Sequence, residues 1–413
     1  MSNKRDLIII GGGPGGVTCA NVVKNWGKSM GKELSIMMIK EEERLVNRCS
    51  MPYGMDYKKP YEDFLIAQSH FTNAAELKID TVTKILPEES QSYLAKARDL
   101  AEHAEKKKVA VIGAGYIGVE VAASFINLGF DVTLVEMLPH AMQLTTDSEF
   151  IEIIEKELID NKINLKLGQK LTGFVKSEKN PENVSHIILD SEEKIEVDFV
   201  VLSIGVRPNT KLAADCGIEV TRQGIVTNNN LQTKYPNIYA LGDATQKKSL
   251  ITQKPIVSQF ATSAVFMAKV VAMNVLGTKK ECKGVINSYC TKIFSWGIGG
   301  AGLTEEQAKA EGFDYVVGFS KIDDKYPMLN PSPVTTKMIF NKKDMKLIGG
   351  CAMKKGTSAA HLSDWFSLSI QNGMTIESIM DFQYSTHPEL NARPSQNMYV
   401  AAAQNALMKL QKK

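Results

Sequence analysis

Residues 7–23 read LIIIGGGPGGVTCANVV, and this stretch decides the fold. Four apolar, mostly β-branched residues (7–10) form a short unbroken run, the pattern of a parallel strand buried on both faces. The glycine cluster follows at once, and apolar residues then recur at helical spacing through VTCANVVKNWG. Gly11-x-Gly13-x-x-Gly16, with Pro14 at the first helical position, is the loop that cradles a pyrophosphate. The first glycine makes the tight turn, the second admits the phosphates to the backbone, and the third lets helix and strand pack closely. One such loop also fits a bland turn. The same grammar recurs at 108–136, where strand KVAVI leads into GAGYIG, a helix and the strand DVTLVE. Gly113-x-Gly115-x-x-Gly118 in this context makes two dinucleotide-binding βαβ units the reading of the chain.

An acidic residue ending the second strand of such a unit accepts hydrogen bonds from the ribose hydroxyls. Glu136 has that place in the second unit, where its charge repels a 2′-phosphate and favours NADH over NADPH. The first unit reads IKEE, with Lys40 at the usual acidic position. The ribose contact is therefore assigned to Glu41, the alternative being a surface charge.

At 413 residues the chain exceeds a single small core. Its hydrophobic share of 44% and charged share of 23% are those of a globular protein, and a net charge of +3 is too small to argue for nucleic acid. No apolar run reaches the roughly 18 residues of a membrane span, and the N-terminus passes directly into a strand, so a cytoplasmic location is expected. The six cysteines lie far apart, without CxxC or a Cys/His cluster, so neither a metal site nor a disulfide framework is expected. Cys19, inside the first helix, reads as core.

Farther along, helices are expected at 147–160 and 258–277, after strand-like segments ending in DFVVLSIGV. From about residue 284 the strands VINSYCTKIF, DYVVGF, TTKMIF and LIGGCAMKK precede helices at 358–381 and 397–410, a separate α+β domain.

The two loops, GVRPN (205–209), IYALGDA (238–244) and the terminal domain form an ordered set. It resembles the pyridine nucleotide–disulfide oxidoreductases over nearly the whole chain. The resemblance implies an α/β fold of two Rossmann-like domains, for FAD and NAD, plus a C-terminal α+β dimerisation domain. The expected boundaries are 1–105 and 226–283 for FAD, 106–225 for NAD and 284–413 for dimerisation. It implies that Gly242 and Asp243 bind FAD, Asp243 at a ribityl hydroxyl, where a helix cap is the alternative. Gly205 joins the cofactor contacts. Tyr116 becomes a gate over the flavin, or a packed aromatic at the domain junction, and Glu120 orients the nicotinamide.

The stretch NRCSMPYG (47–54) holds one cysteine where relatives with an internal disulfide carry two. Cys49 thus resembles the single-cysteine branch, which contains coenzyme A-disulfide reductases, NADH-dependent persulfide or polysulfide reductases, NADH oxidases and NADH peroxidases. The resemblance implies a homodimer using FAD and NADH to reduce a small sulfur substrate, possibly CoA-linked, through the Cys49 thiolate. A second reading is an NADH oxidase or peroxidase cycling Cys49 through sulfenic acid. A third, of another class, is a non-catalytic nucleotide-binding or redox-sensing protein. Tyr384 aligns with a tyrosine that reaches the partner's cysteine, or else anchors the interface. His387-Pro388 resembles a catalytic pair, but the orienting glutamate is replaced by Ala392, so surface packing is favoured for His387. Lys24 and Lys28 are the main basic residues of the first helix toward CoA phosphates. The chain between Cys49 and Gly113 is shorter than in relatives. Residues 60–86 are read as the helix and strand after the cysteine; DFLIAQS as the later strand is the alternative.

Overall fold

The computed structural model describes residues 5–40, 45–46, 65–66, 74–79, 107–356 and 360–412. Cys49 and Glu41 lie outside them. In chain order the elements used below begin with β1 (Leu7–Ile10), α1 (Pro14–Ser29), β2 (Ile36–Lys40) and β3 (Glu76–Ile79). Next come β4 (Lys108–Ile112), α2 (Tyr116–Asn127), β5 (Asp131–Glu136), α3 (Ser148–Asp160) and β6 (Asn164–Leu167). They continue with β7 (Leu171–Lys176), β8 (Val184–Leu189), β9 (Lys194–Glu196), β10 (Phe199–Leu202) and α4 (Ala261–Val275). The last are β11 (Ser288–Ile293), β12 (Trp296–Gly302), β13 (Tyr315–Asp323), β14 (Pro333–Asn341), β15 (Leu347–Lys355), α5 (Ala360–Gln371) and α6 (Met398–Gln411).

The chain gathers into two compact units, one from residues 1–99 with 206–286 and the other from 100–205 with 287–413. In the first, β1, β2 and β3 form a parallel sheet in that order. β3 supplies the strand expected within 60–86. α1 packs against α4, and Cys19, Ala20 and Val23 of α1 share a core with Met267, Ala268 and Val271 of α4. The first strand departs from expectation: Ile8 and Ile10 are 53% and 59% exposed. Among the described residues β1 pairs only with β2, and of its two faces the one carrying Ile9 is buried.

In the second unit β10, β4, β5 and β6 form a four-stranded parallel sheet, beside the antiparallel ribbon β9-β8-β7. The terminal part is a five-stranded antiparallel sheet, β11-β12-β15-β14-β13, covered by α5 and α6. β12, WGIGGAG, is a central strand that composition hides, because glycine disfavours strands. Close packing explains it: a Cβ on Gly300 would lie 2.8 Å from both the Gly350 carbonyl and the Tyr289 hydroxyl. Likewise, a Cβ on Gly350 would lie 2.4 Å from the Phe366 ring of α5.

A buried charge cluster joins the nucleotide-type sheet to this terminal sheet. Lys337 of β14, its side chain 2% exposed, pairs with Glu149 at 2.8 Å, Glu305 at 2.6 Å and Asp147 at 3.5 Å. Burial alone would neutralise the lysine, but the three carboxylates outweigh it and hold its ammonium charged. Asp147 also accepts from the Glu305 N–H at 2.8 Å.

Gly350→Ala should destabilise the protein by about 1–3 kcal/mol through overpacking against Phe366. Gly173→Ala, whose nearest new contact is an ordinary 3.7 Å, should stay within about 0.5 kcal/mol. Urea unfolding midpoints of the two variants check this contrast.

Candidate nucleotide and redox site

The second glycine loop shows why its spacing matters. Gly113 turns at φ +99° and donates to the Val135 carbonyl at 2.7 Å. A Cβ on Gly118 would sit 1.8 Å from the Gly113 carbonyl oxygen, so only glycine lets α2 start this close to the end of β4. Gly115 is the N-cap of α2, with no side-chain cap and no acidic residue in the first turn. Nothing lies within 4 Å of where its Cβ would be. The helix thus presents N–H groups and its positive end to open space.

Glu136 closes this site on its far side. Its Oε2 accepts from the Ala114 N–H at 2.7 Å and its Oε1 from the Leu138 N–H at 2.9 Å. The carboxylate is held against the glycine loop by backbone donors, so the negative charge is a fixed part of the loop.

The first loop repeats the geometry. Gly11 turns at φ +101°, a Cβ on Gly16 would meet the Gly11 carbonyl at 2.1 Å, and Gly13 faces open space. Gly13 is the uncapped N-cap of α1, Pro14 occupies the first turn, and no acid stands there. Two bare helix starts, each over a glycine with room above it, fit the pyrophosphates of FAD and of a nicotinamide dinucleotide. Lys40, at the usual acidic position, is buried, and its side chain runs under Gly12, where a Cβ would lie 2.8 Å from its Cδ.

Gly242 opens a short 3-10 turn, Gly242–Ala244, with Leu241 packed under Gly15 of α1. The Asp243 side chain is 55% exposed, with Lys247 Nζ at 3.5 Å. Lys247 is buried to 2% exposure, which pushes its pKa down while Asp243 opposes the shift. Sequence reasoning missed Lys247; its position four residues after Asp243 was the available signal. Gly205 makes a left-handed turn after β10.

Tyr116 and Glu120 lie on one face of α2 and meet β11. The rings of Tyr116 and Tyr289 lie 4.9 Å apart, and the Tyr289 hydroxyl donates to Cys351 Sγ at 3.4 Å. The Tyr116 hydroxyl is buried, and burial raises its pKa. Thr291 Oγ1 donates to Glu120 Oε1 at 2.5 Å. Thr291, which motif reading does not single out, belongs to this contact. Tyr384 donates to the Pro394 carbonyl at 2.5 Å. Exposed His387 accepts from the Glu389 N–H through Nδ1 at 3.3 Å.

The five described cysteines are free thiols. Burial pushes the Cys19 thiol up to about 12 and raises Cys282 and Cys351 as well. Cys290, exposed on the strand, is raised by partial desolvation and then by the charges of Asp364 and Glu120. Cys216 is exposed. Among the described residues no group of His, Cys, Asp or Glu is arranged to hold a metal, and no helix is long and apolar enough to cross a membrane.

Paired glycine-loop sheets with an appended antiparallel sheet define a two-dinucleotide oxidoreductase architecture. Residues 85–265 match the family model described as pyridine nucleotide-disulphide oxidoreductase, and 289–397 match that family's dimerisation domain. The chain is 30% identical to an NADH oxidase of Methanocaldococcus jannaschii, covering 98% of this chain and 99% of that protein. That alignment runs over 461 residues, more than the 413 here, so the relative carries residues that this chain lacks. A CoA-dependent NAD(P)H sulfur oxidoreductase of Pyrococcus furiosus is 32% identical over 71% of this chain and 66% of its own length. The fold matches that of an NAD-dependent persulfide reductase from A. fulgidus, with a TM-score of 0.88, 22% identity, and 98% and 83% coverage. This chain belongs to the pyridine nucleotide-disulphide oxidoreductase family. It is an oxidoreductase of the kind that uses FAD and NAD(P)H.

Gly115→Ala, at φ −75° and with room for a methyl group, should fold normally yet bind NAD⁺ about tenfold or more weakly, because the Cβ enters the pyrophosphate's space. Gly118→Ala should instead lose on the order of 3 kcal/mol of stability against the Gly113 carbonyl. Calorimetric binding and thermal melts separate the two effects.

Proposed function

We propose that this protein is a homodimeric FAD enzyme that takes electrons from NADH and reduces a disulfide, persulfide or polysulfide through Cys49. The observation that carries the reading is the distribution of thiols. Every described cysteine whose acidity departs from that of an ordinary thiol is pushed toward the inert, protonated form. Cys49 stands in the segment after the first βαβ unit, where the family keeps its redox cysteine. The names of the relatives, a CoA-dependent sulfur oxidoreductase and a persulfide reductase, support sulfur as the acceptor.

A bound flavin supplies a two-electron path between nicotinamide and sulfur. The chain's own residues do the rest. Gly13 and Gly115, with the N–H groups behind them, would hold the two pyrophosphates, and Asp243 would accept from a ribityl hydroxyl. The Cys49 thiolate attacks one sulfur of the substrate, forms a mixed disulfide and expels the first thiolate. Two electrons then return Cys49 to the thiolate and release the second. NADH and one proton enter, and NAD⁺ and two thiols leave. Tyr384, now bonded to the Pro394 carbonyl, would donate to the departing sulfur of the partner subunit's site after exchanging that bond. Residues 1–105 with 226–283 would serve FAD, 106–225 NAD and 284–413 dimerisation. Glu136, its carboxylate fixed by two backbone donors, would favour NADH by repelling a 2′-phosphate.

The NADH oxidase that aligns along its whole length supports a second reading, in which Cys49 cycles through sulfenic acid and the acceptor is oxygen or peroxide.

Cys49→Ser should lower NADH-driven reduction of CoA disulfide or polysulfide by at least about a hundredfold while NAD⁺ binding persists. Parallel NADH-consumption assays with those acceptors, peroxide and oxygen check it; an undiminished sulfur rate in the variant would refute the mechanism. Glu136→Gln should bring the NADH-to-NADPH ratio of kcat/KM down about tenfold, as read from initial rates with each cofactor.

A further inference from the structure

We infer that Thr291, in the terminal sheet, is a positioning residue for the nicotinamide end of the dinucleotide, acting through the Glu120 carboxylate. This deepens the proposed function: it rests on that reading's use of NADH at the second glycine loop and on the nicotinamide-orienting role that the family resemblance implies for Glu120.

Tyr116 and Glu120 are four residues apart on α2, so they stand one above the other about 6 Å apart along the axis. Tyr289 and Thr291 are two residues apart on β11, so they share a face at a spacing of about 6.7 Å. The two rows meet in register: Tyr116 on Tyr289 at 4.9 Å and Glu120 on Thr291 at 2.5 Å. Cys290, between the two strand residues, turns to the other face and is exposed.

The helix that carries the nucleotide loop is therefore set against the terminal sheet by an aromatic contact at its first residue and a charge-assisted hydrogen bond one turn later. Thr291 is buried at 7% exposure, so its hydroxyl is held by packing, and it acts as a fixed donor. A glutamate side chain otherwise has considerable rotamer freedom. A carboxylate offers about four acceptor sites, and the Thr291 hydroxyl takes one of them. An amide N–H of the nicotinamide is the kind of donor such a carboxylate takes. A threonine outside the nucleotide domain thereby helps to hold the acceptor in place.

Binding of NAD⁺ and of ADP-ribose, which lacks nicotinamide, to the oxidised flavin-containing protein tests this by calorimetry without turnover. Thr291→Val should weaken NAD⁺ about fivefold and leave ADP-ribose unchanged. Thr291→Ser, which keeps the hydroxyl, should bind both like the parent. Glu120→Gln should show the same selective loss, and adding Thr291→Val to it should lose nothing more. If the valine variant does not fold, Thr291→Ala is read in the same way. Equal weakening of both ligands by the Thr291 substitution would mean simple docking of α2 and would overturn the inference. Unchanged NAD⁺ binding by that variant, with Glu120→Gln impaired, would also overturn it while sparing the role of Glu120. Unchanged NAD⁺ binding by Glu120→Gln would remove the underlying assignment and the inference with it.

Discussion

Both dinucleotide loops depend on a backbone approach that no side chain survives. At Gly118 a Cβ would stand 1.8 Å from the Gly113 carbonyl, and at Gly16 one would stand 2.1 Å from the Gly11 carbonyl. With the clash absent, each helix begins directly over the end of its strand, and its first N–H groups are left facing outward at Gly13 and Gly115. The remaining features follow from that placement. The helix ends are bare of caps and of acids, an arrangement suited to the phosphates of a ligand. Glu136 is fixed by the N–H of Ala114, a residue of the loop itself.

The second constraint is the seam between the nucleotide-type sheet and the terminal sheet within one compact unit. Apolar packing alone would let such a seam slide. Polar contacts give it a register: Lys337 among Asp147, Glu149 and Glu305, Glu157 accepting from the Ser295 hydroxyl at 2.7 Å, and Glu120 from Thr291. Buried ion pairs contribute little net stability once desolvation is counted, but an unpaired buried charge is costly, so such clusters select one arrangement. That arrangement sets the face of α2 that carries Tyr116 and Glu120.

Much of this was legible in the sequence because glycine spacing reports backbone geometry directly. The strands and helices around Gly11–Gly16 and Gly113–Gly118, the acidic end of β5 at Glu136 and the helix over 261–275 follow from local pattern. What stayed hidden lies in contacts between distant segments. Nothing local marks WGIGGAG as a central strand, because its reason is the Tyr289 hydroxyl, the Gly350 carbonyl and the Phe366 ring nearby. Lys337, Thr291 and Lys247 carry no motif, and their partners are known only once the chain is folded. Ile8 and Ile10 show the opposite failure: an unbroken apolar run suggested burial on both faces, and the face of β1 that carries these two residues is exposed.

The claim that one thiol carries the chemistry is tested most directly by mass. The flavin-containing protein, incubated with CoA disulfide or polysulfide, is digested and its cysteine peptides weighed before and after a single equivalent of NADH. CoA or sulfur should add to the peptide containing Cys49 and depart when NADH is supplied. An unmodified Cys49 with the added mass on another cysteine, or an adduct on Cys49 indifferent to NADH, would contradict it.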